Sequence, residues 1–243
     1  MGKGAKYEMV KNLNKHVDNY KGVKASVEEH FLTKATTELA KNISINKDVL
    51  QLGLGNGVIA KALDSIVKMQ IIVEGSSKII KDFSFIGKNT NFVESYFEDF
   101  ETTEKFDLIL ANHVMEHVDD PVSLLHSMKK KLKPNGEMLI TVPNANSIHR
   151  LIGVEMGLLN NKFDLNTSDI NAGHQRVYDY DKLIEDVCSS GLNVTKSGGY
   201  NIKLVSLAQM KDWSQELLDA IFLVSKKMPK EICSNIWLLC KEK

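Results

Sequence analysis

The chain has 243 residues, of which 43% are hydrophobic and 26% are charged, and its 31 basic residues balance its 31 acidic residues. This length predicts a core large enough to need no disulfide or structural metal. The zero net charge argues against a general nucleic-acid-binding protein. The three cysteines, Cys188, Cys233 and Cys240, have no C-x-x-C spacing. They therefore argue against a zinc cluster and indicate a reducing compartment.

The sequence also lacks the signals of membrane proteins and exported proteins. No apolar run approaches the roughly 18 residues that a membrane span needs. The first residues have no apolar centre of the kind found in a signal peptide. We therefore expect a cytoplasmic protein without a membrane partner, either a monomer or a homodimer.

The predicted elements begin with an N-terminal arm that runs into an amphipathic helix over about 24–42. Strands and helices then alternate: strand 48–54, helix 58–67, strand 69–73, helix 76–85, strands 91–93 and 107–111, helix 121–132 and strand 136–142. Such alternation is typical of βαβ units, in which helices cover both faces of a parallel sheet.

Beyond Pro143 the pattern changes. Residues 144–177 contain no strong strand and are rich in Asn, Gly and Asp, which favours an insertion or a substrate lid. A helix over 179–190, a strand over 192–195, a helix over 207–226 and a strand over 236–240 follow. The two late strands predict an antiparallel edge hairpin.

We expect one domain over 1–243, made of the arm and helix (1–42), a ligand-binding sheet (47–143), the insertion (144–177) and C-terminal helices with edge strands (178–243).

A glycine-rich loop follows the first predicted strand. The strand runs into Gly53-x-Gly55-x-Gly57 and then directly into a helix. Glycines let the backbone turn sharply and let a ligand lie against the main chain, although such turns also occur for packing reasons. The amides at the start of the following helix point at the same place. The spacing differs from the G-x-G-x-x-G dinucleotide fingerprint, so a pyrophosphate ligand is the poorer fit.

An acidic residue, Glu74, ends the second strand about twenty residues beyond Gly55. A carboxylate at this place can accept two hydrogen bonds from a ribose diol. The alternative is a solvated glutamate at the end of a strand. Together with the glycine loop, Glu74 indicates a nucleoside ligand.

At these residues the sequence resembles the class I S-adenosylmethionine-dependent methyltransferases, over about residues 24–200. The resemblance rests on LQLGLGNG, on VEGS, and on FDLILANHVMEHVDDP followed by LKPNGEMLITVPN. It implies a Rossmann-like, doubly wound α/β fold with a mostly parallel seven-stranded sheet and an antiparallel C-terminal edge hairpin. It also implies S-adenosyl-L-methionine as the cofactor.

The resemblance assigns residues of this chain to parts of the cofactor. The methionine part would be lined by Gly53, Gly55 and Gly57, and the ribose would be held by Glu74 with Gly75 and Ser76. The adenine would lie along Ser95, Tyr96 and Phe97. The sulfonium would be bordered by Asn112 and His113 and shielded by Tyr7 and Tyr20 of the arm. Gln51 departs from the family, which usually has an acid there. Its carbonyl can accept a hydrogen bond but offers no charge to an ammonium, so affinity would be lower or backbone carbonyls would help.

Candidate catalytic groups follow the fourth and fifth strands. Methyl transfer requires the donor carbon and the acceptor atom to be held in line, and a base when the acceptor keeps a proton. His113 is one candidate. If their segment is extended, His174, Arg176 and Tyr178 share one face and form a second group. The alternative is that His174 and Arg176 brace the helix that begins at Asp179. We interpret the pair Glu116–His117 as fixing a turn.

Arginine is scarce, because only Arg150 and Arg176 among the 31 basic residues are arginines, and both lie in the insertion. A guanidinium fork suits a carboxylate or a phosphate. With His149, these arginines predict binding of a small anionic acceptor such as a sugar, a phosphoramidate or a precursor of a bacterial surface polysaccharide, for example of a capsule. Transfer to oxygen or nitrogen stays open, and we expect no metal. A tRNA or protein methyltransferase, or an inactive cofactor-binding regulatory subunit, are the alternatives.

Overall fold

The computed structural model describes residues 33–83 and 85–243. Seven strands lie in these ranges: β1 (Asp48–Leu52), β2 (Met69–Glu74), β3 (Thr90–Glu94), β4 (Phe106–Asn112), β5 (Leu132–Pro143), β6 (Leu192–Tyr200) and β7 (Asn235–Glu242). The α-helices there are α1 (Lys34–Ser44), α2 (Val58–Asp64), α3 (Ser77–Asp82), α4 (Pro121–Lys129), α5 (Ile148–Glu155), α6 (Thr167–Ala172), α7 (Tyr180–Ser189) and α8 (Gln215–Ser225). The arm with Tyr7 and Tyr20 lies outside the described residues.

The strands form one sheet in the order β3-β2-β1-β4-β5-β7-β6. Strands β1 to β5 pair in parallel, whereas β7 runs antiparallel to both of its neighbours, β5 and β6. This order confirms the predicted Rossmann-like sheet with an antiparallel pair at one edge. Strand β7 lies between β5 and the edge strand β6.

Both faces of the sheet are covered because alternate residues of each strand face opposite sides. On β4, Ile109 joins a core cluster that contains residues of α4 and α7, whereas Leu108 and Leu110 join a cluster that contains residues of α1 and α2. Every residue of β1 is buried. A parallel strand that is covered on both faces has a continuous run of apolar residues in its sequence. Such runs predicted these strands from the sequence.

The candidate site lies where the direction of winding reverses. Strands β1 and β4 are neighbours, but β2 follows on one side of this pair and β5 on the other. In such sheets the crevice beyond the carboxyl ends of the central strands is where ligands bind. Gly53 follows β1 at this edge, and Asn112 ends β4 there.

The C-terminal part corrects two boundaries. The predicted helix 207–226 is interrupted: a 3₁₀ turn over Leu207–Met210 precedes α8, and the Ser214 side chain accepts a hydrogen bond from the Leu217 amide to cap α8. The strand predicted over 192–195 continues to Tyr200. Within the described residues 144–177 the insertion holds α5 and α6 and no strand. Its role as a lid stays a prediction.

None of the helices in the described ranges is both long and apolar enough to cross a membrane.

The end of β6 provides a test of the fold. A Cβ at Gly199 would lie 2.6 Å from the Lys230 carbonyl oxygen and 2.7 Å from the Cys233 Cβ. We expect Gly199→Ala to lower the free energy of unfolding by about 1–3 kcal/mol through overpacking. The control is Gly153→Ala in α5, where the nearest atom is 3.7 Å away. Alanine should stabilise that helix by about 0.5–1 kcal/mol. Urea unfolding measures both, and equal effects would contradict the packing of β6.

Candidate active site

The glycine loop has a left-handed backbone that glycine favours. The φ angles are +79° at Gly53, +56° at Gly55 and +74° at Gly57. A Cβ at Gly55 would meet no described atom within 4 Å, so open space lies beside the main chain there. A Cβ at Gly57 would instead lie 2.0 Å from the Phe83 ring. Gly55 therefore fits a ligand-facing role, whereas the packing alternative accounts for Gly57.

Glu74 joins the glycine loop to the end of β2. Its side chain is buried, and its two oxygens accept hydrogen bonds from the amides of Leu54 at 3.0 Å and Ser76 at 2.9 Å. Burial raises the pKa of Glu74, while hydrogen bonds from the Leu54, Ser76 and Gly75 amides act in the opposite direction. A carboxylate has about four acceptor positions, so with three amides bound about one position remains for a ribose hydroxyl.

Two buried polar atoms without a hydrogen-bond partner lie in residues near the carboxyl ends of the central strands. They are Oε1 of Gln51 and Nδ2 of Asn112. The other end of the Gln51 amide donates to the Gly53 carbonyl at 2.7 Å, so the group is oriented. Unsatisfied buried polar atoms call for a ligand, a water or an ion. One acceptor and one donor suit the ammonium and carboxylate groups of a methionine moiety, so these residues fit S-adenosylmethionine.

The segment after β3 lies beside the same loop. The Ser95 amide donates to the Glu74 carbonyl at 3.2 Å, and the Ser95 hydroxyl donates to the Tyr96 carbonyl at 2.9 Å. The Phe97 ring would be 3.8 Å from a Cβ at Gly53. The placement of these three residues along an adenine stays a prediction.

His113 is held on both sides at the end of β4. Its Nδ1 is hydrogen-bonded to Oε1 of Glu116 at 3.1 Å, and its Nε2 to the Tyr200 hydroxyl at 2.9 Å. Its φ angle is +53°. Tyr200 lies in the part of β6 that the sequence did not predict as strand. Glu116 is the residue that we interpret from the sequence as fixing a turn. It is only 1% exposed, and its hydrogen bond also orients His113.

Two further imidazoles, those of His117 and His174, lie beside Glu116. The His117 and His174 rings meet edge to face with centroids 4.8 Å apart. Burial lowers the pKa of His117. Burial acts in the same direction on His174, but the hydrogen bond to Asp169 and the charge of Glu116 outweigh it and raise the pKa of His174. The result is a buried carboxylate faced by three histidines at the end of β4.

The structure gives Arg176 and Tyr178 partners within the protein, and the shared face of His174, Arg176 and Tyr178 stays a prediction. The Arg176 guanidinium donates to the carbonyls of Met115, Val118 and Asp119. Tyr178 is buried, and its hydroxyl donates to Asp186 at 2.7 Å. The cap of α7 comes from the side chain of Asp179 itself, and bracing of this helix by His174 or Arg176 stays a prediction.

Arg150 also binds acceptors of this chain. Its buried guanidinium donates to Asp169 at 3.1 Å and to the carbonyls of Lys162 and Asp164. The neighbouring His149 has its pKa lowered to about 3, first by burial and then by nearby positive charges. Since both arginines bind carbonyl and carboxylate groups of the protein, the observation that favoured an anionic acceptor is lost.

The loop assignment can be tested with two glycines of similar backbone. Gly55→Val should weaken the binding of S-adenosylmethionine at least ~100-fold, because the side chain would fill the ligand space. Gly157→Val is the matched control, since Gly157 also has a positive φ (+69°) and open space around its Cβ position. It should carry the same backbone strain with unchanged binding. Calorimetry measures both variants, and equal affinities would refute the loop assignment.

Comparisons with known proteins agree with this geometry. A family model described as a methyltransferase domain matches residues 25–197. The ubiquinone biosynthesis O-methyltransferase of Actinobacillus pleuropneumoniae serotype 7 is 31% identical over 108 residues, which are 40% of this chain and 46% of that protein. The match thus spans about half the length of that relative.

Solved structures share the fold. An S-adenosylmethionine-dependent methyltransferase from Mesorhizobium loti has a TM-score of 0.62 at 12% identity and covers 91% of this chain and 100% of its own. The N-methyltransferase NodS from Bradyrhizobium japonicum, in complex with S-adenosyl-L-homocysteine, has a TM-score of 0.53 at 12% identity, with 91% and 99% covered. With its family model, its sheet order and its loop in agreement, the chain belongs to the class I S-adenosylmethionine-dependent methyltransferases.

Proposed function

We propose that this enzyme methylates a hydroxyl oxygen of a small molecule. The observation that carries the proposal is the group of imidazoles around buried Glu116, immediately beyond the end of β4. The name of the relative from Actinobacillus, an O-methyltransferase, supports transfer to oxygen, whereas the sequence alone left oxygen and nitrogen open.

The cofactor supplies a methyl group on a sulfonium, which is transferred in an in-line displacement. The residues of this chain would bind and orient it: Glu74 would accept a hydrogen bond from the ribose, and Gln51 would accept one from the amino group through Oε1, which has no partner among the described residues. Asn112 offers Nδ2 on the other side of the crevice. Holding the reacting atoms in a near-attack geometry of about 3–3.5 Å lowers the activation barrier.

An acceptor hydroxyl keeps its proton at neutral pH, so the site must help to remove it. His113 has both ring nitrogens bound, by Glu116 and Tyr200. His174 has Nδ1 paired with Asp169 at 3.3 Å, which directs Nε2 away from that partner. His117 likewise has Nδ1 bonded, to the Gly173 carbonyl, so each of these two rings keeps Nε2. We place His174 nearest to the acceptor oxygen because it lies in the insertion, which we expect to act as a substrate lid.

The acceptor itself is best sought among hydroxylated rings of quinone precursors, because the relative acts in ubiquinone biosynthesis by its name. A sugar, phosphoramidate or surface-polysaccharide precursor was favoured only by Arg150 and Arg176, whose guanidiniums bind this chain's own oxygens. No feature of residues 33–83 and 85–243 favours a tRNA or a protein acceptor.

A panel of small acceptors tests the proposal. Each ring hydroxyl compound is paired with the analogue in which an amine replaces the hydroxyl, and S-adenosylhomocysteine and the methylated product are measured by mass spectrometry. We expect a methyl ether from at least one hydroxyl compound. Methylation of the amines alone would contradict transfer to oxygen.

His174→Ala should lower kcat by about 10²–10⁴, because the group that helps to remove the proton is lost. The affinity for S-adenosylmethionine should stay unchanged. The control is His126→Ala, since His126 lies on α4 and its Nδ1 is bonded to the Ser190 carbonyl. Steady-state kinetics compare the two variants. An unchanged kcat in His174→Ala would remove His174 from the reaction.

A further inference from the structure

We propose that Glu116, His117 and His174 bind a divalent transition-metal ion such as Zn²⁺ beyond the end of β4. The three residues each offer a ligand atom, and these atoms all lie within 4.8 Å of one another. Two imidazoles and one carboxylate form the ligand set of catalytic zinc sites that keep a fourth position open. The metal site itself does not depend on the proposed function, and only its role toward the acceptor rests on it.

The partners of the two imidazoles favour this site. Nδ1 of His117 is bonded to the Gly173 carbonyl at 3.3 Å, and Nδ1 of His174 is paired with Asp169 at 3.3 Å. Metal-bound histidines almost always donate the N–H of the other nitrogen to a carbonyl or a carboxylate, which fixes the tautomer. Both rings have this arrangement, and in both Nε2 is the nitrogen left for a metal.

Glu116 provides an independent observation. Its Oε1 is bonded to His113, but its Oε2 is buried and has no hydrogen-bond partner among the described residues. The whole residue is only 1% exposed. A buried carboxylate oxygen without a partner is costly, and a cation at this point would satisfy it.

The backbone around the site joins the two segments that carry the ligands. The Gln175 amide donates to the Glu116 carbonyl at 2.8 Å, and Arg176 donates to the Met115 carbonyl at 2.9 Å. These bonds give Arg176 a structural role, because its guanidinium connects the insertion to the turn after β4. The His174 segment is thereby fixed beside His117.

The three ligand atoms must move closer together to bind a zinc ion. Bond lengths of about 2.0–2.2 Å place the ligand atoms of a tetrahedral zinc site roughly 3.4 Å apart. The present spread of up to 4.8 Å is wider, so side-chain rotation must draw the three groups together. The backbone bonds between the segments need not change.

The ion would assist the proposed reaction by lowering the pKa of an acceptor hydroxyl at its open position. With the ion bound, Nε2 of His174 is a ligand and does not accept the proton. The O–H bond breaks, the proton goes to solvent, and the oxygen keeps the electron pair. That oxygen then forms the C–O bond while the bond between sulfur and the methyl carbon breaks, which leaves S-adenosylhomocysteine. No oxidant or reductant is needed.

The test measures metal binding directly. The full chain is stripped with a chelator, dialysed and titrated with Zn²⁺ by calorimetry, with Co²⁺ absorption as a second readout of ligation. We expect one ion per chain and a loss of affinity of at least ~100-fold in Glu116→Gln and in His174→Gln. His126→Gln is the control and should bind as the unchanged protein does. Circular dichroism confirms that each variant is folded.

Several outcomes would overturn the metal site. They are the absence of a stoichiometric ion in the unchanged protein, a Co²⁺ spectrum without nitrogen ligation, or full affinity in folded His174→Gln. Because Zn²⁺ binding is measured without S-adenosylmethionine and without a methyl acceptor, the two proposals can fail separately. Stoichiometric Zn²⁺ without any methylated hydroxyl product supports the site and contradicts the proposed function. Full turnover in chelator overturns the role given to the ion.

Discussion

The position of the site depends on two neighbouring parallel strands, β1 and β4. After β1 the chain continues toward one edge of the sheet, and after β4 it continues toward the other. No helix can cover the crevice at their carboxyl ends, because the connections diverge there. The backbone that follows each strand is therefore free to face a ligand. Gly53 and Gly55 occupy one side of the crevice, and Asn112 and His113 occupy the other.

Buried carboxylates organise the two halves of the site. Glu74 accepts hydrogen bonds from the amides of Leu54 and Ser76, so it joins the end of β2 to the cofactor loop. Glu116 plays the corresponding part on the acceptor side, where it orients His113 and lies beside His117 and His174. Burying a charge is costly unless it is paired, so each carboxylate imposes the positions of its partners. In the proposed site, cofactor binding and acceptor chemistry would each depend on one of these acids.

The sequence predicted the sheet and the cofactor loop because both leave local signals. Buried parallel strands read as short apolar runs, and the turn after β1 needs residues that tolerate positive φ. Glu74 was found because it ends a strand. The partners of Arg176 and Tyr200 leave no such signal, since they lie far away along the chain. The end of β6 was missed because Gly198 and Gly199 read as a loop, although they let β7 and the Cys233 loop approach.

A crystal structure of the protein with bound S-adenosylhomocysteine tests the central claim most directly. The account predicts that the ligand lies against the main chain of Gly53 and Gly55, with a ribose hydroxyl on Glu74 and its amino group on Oε1 of Gln51. A ligand bound at another edge of the sheet would contradict the account. So would a ribose that makes no hydrogen bond to Glu74.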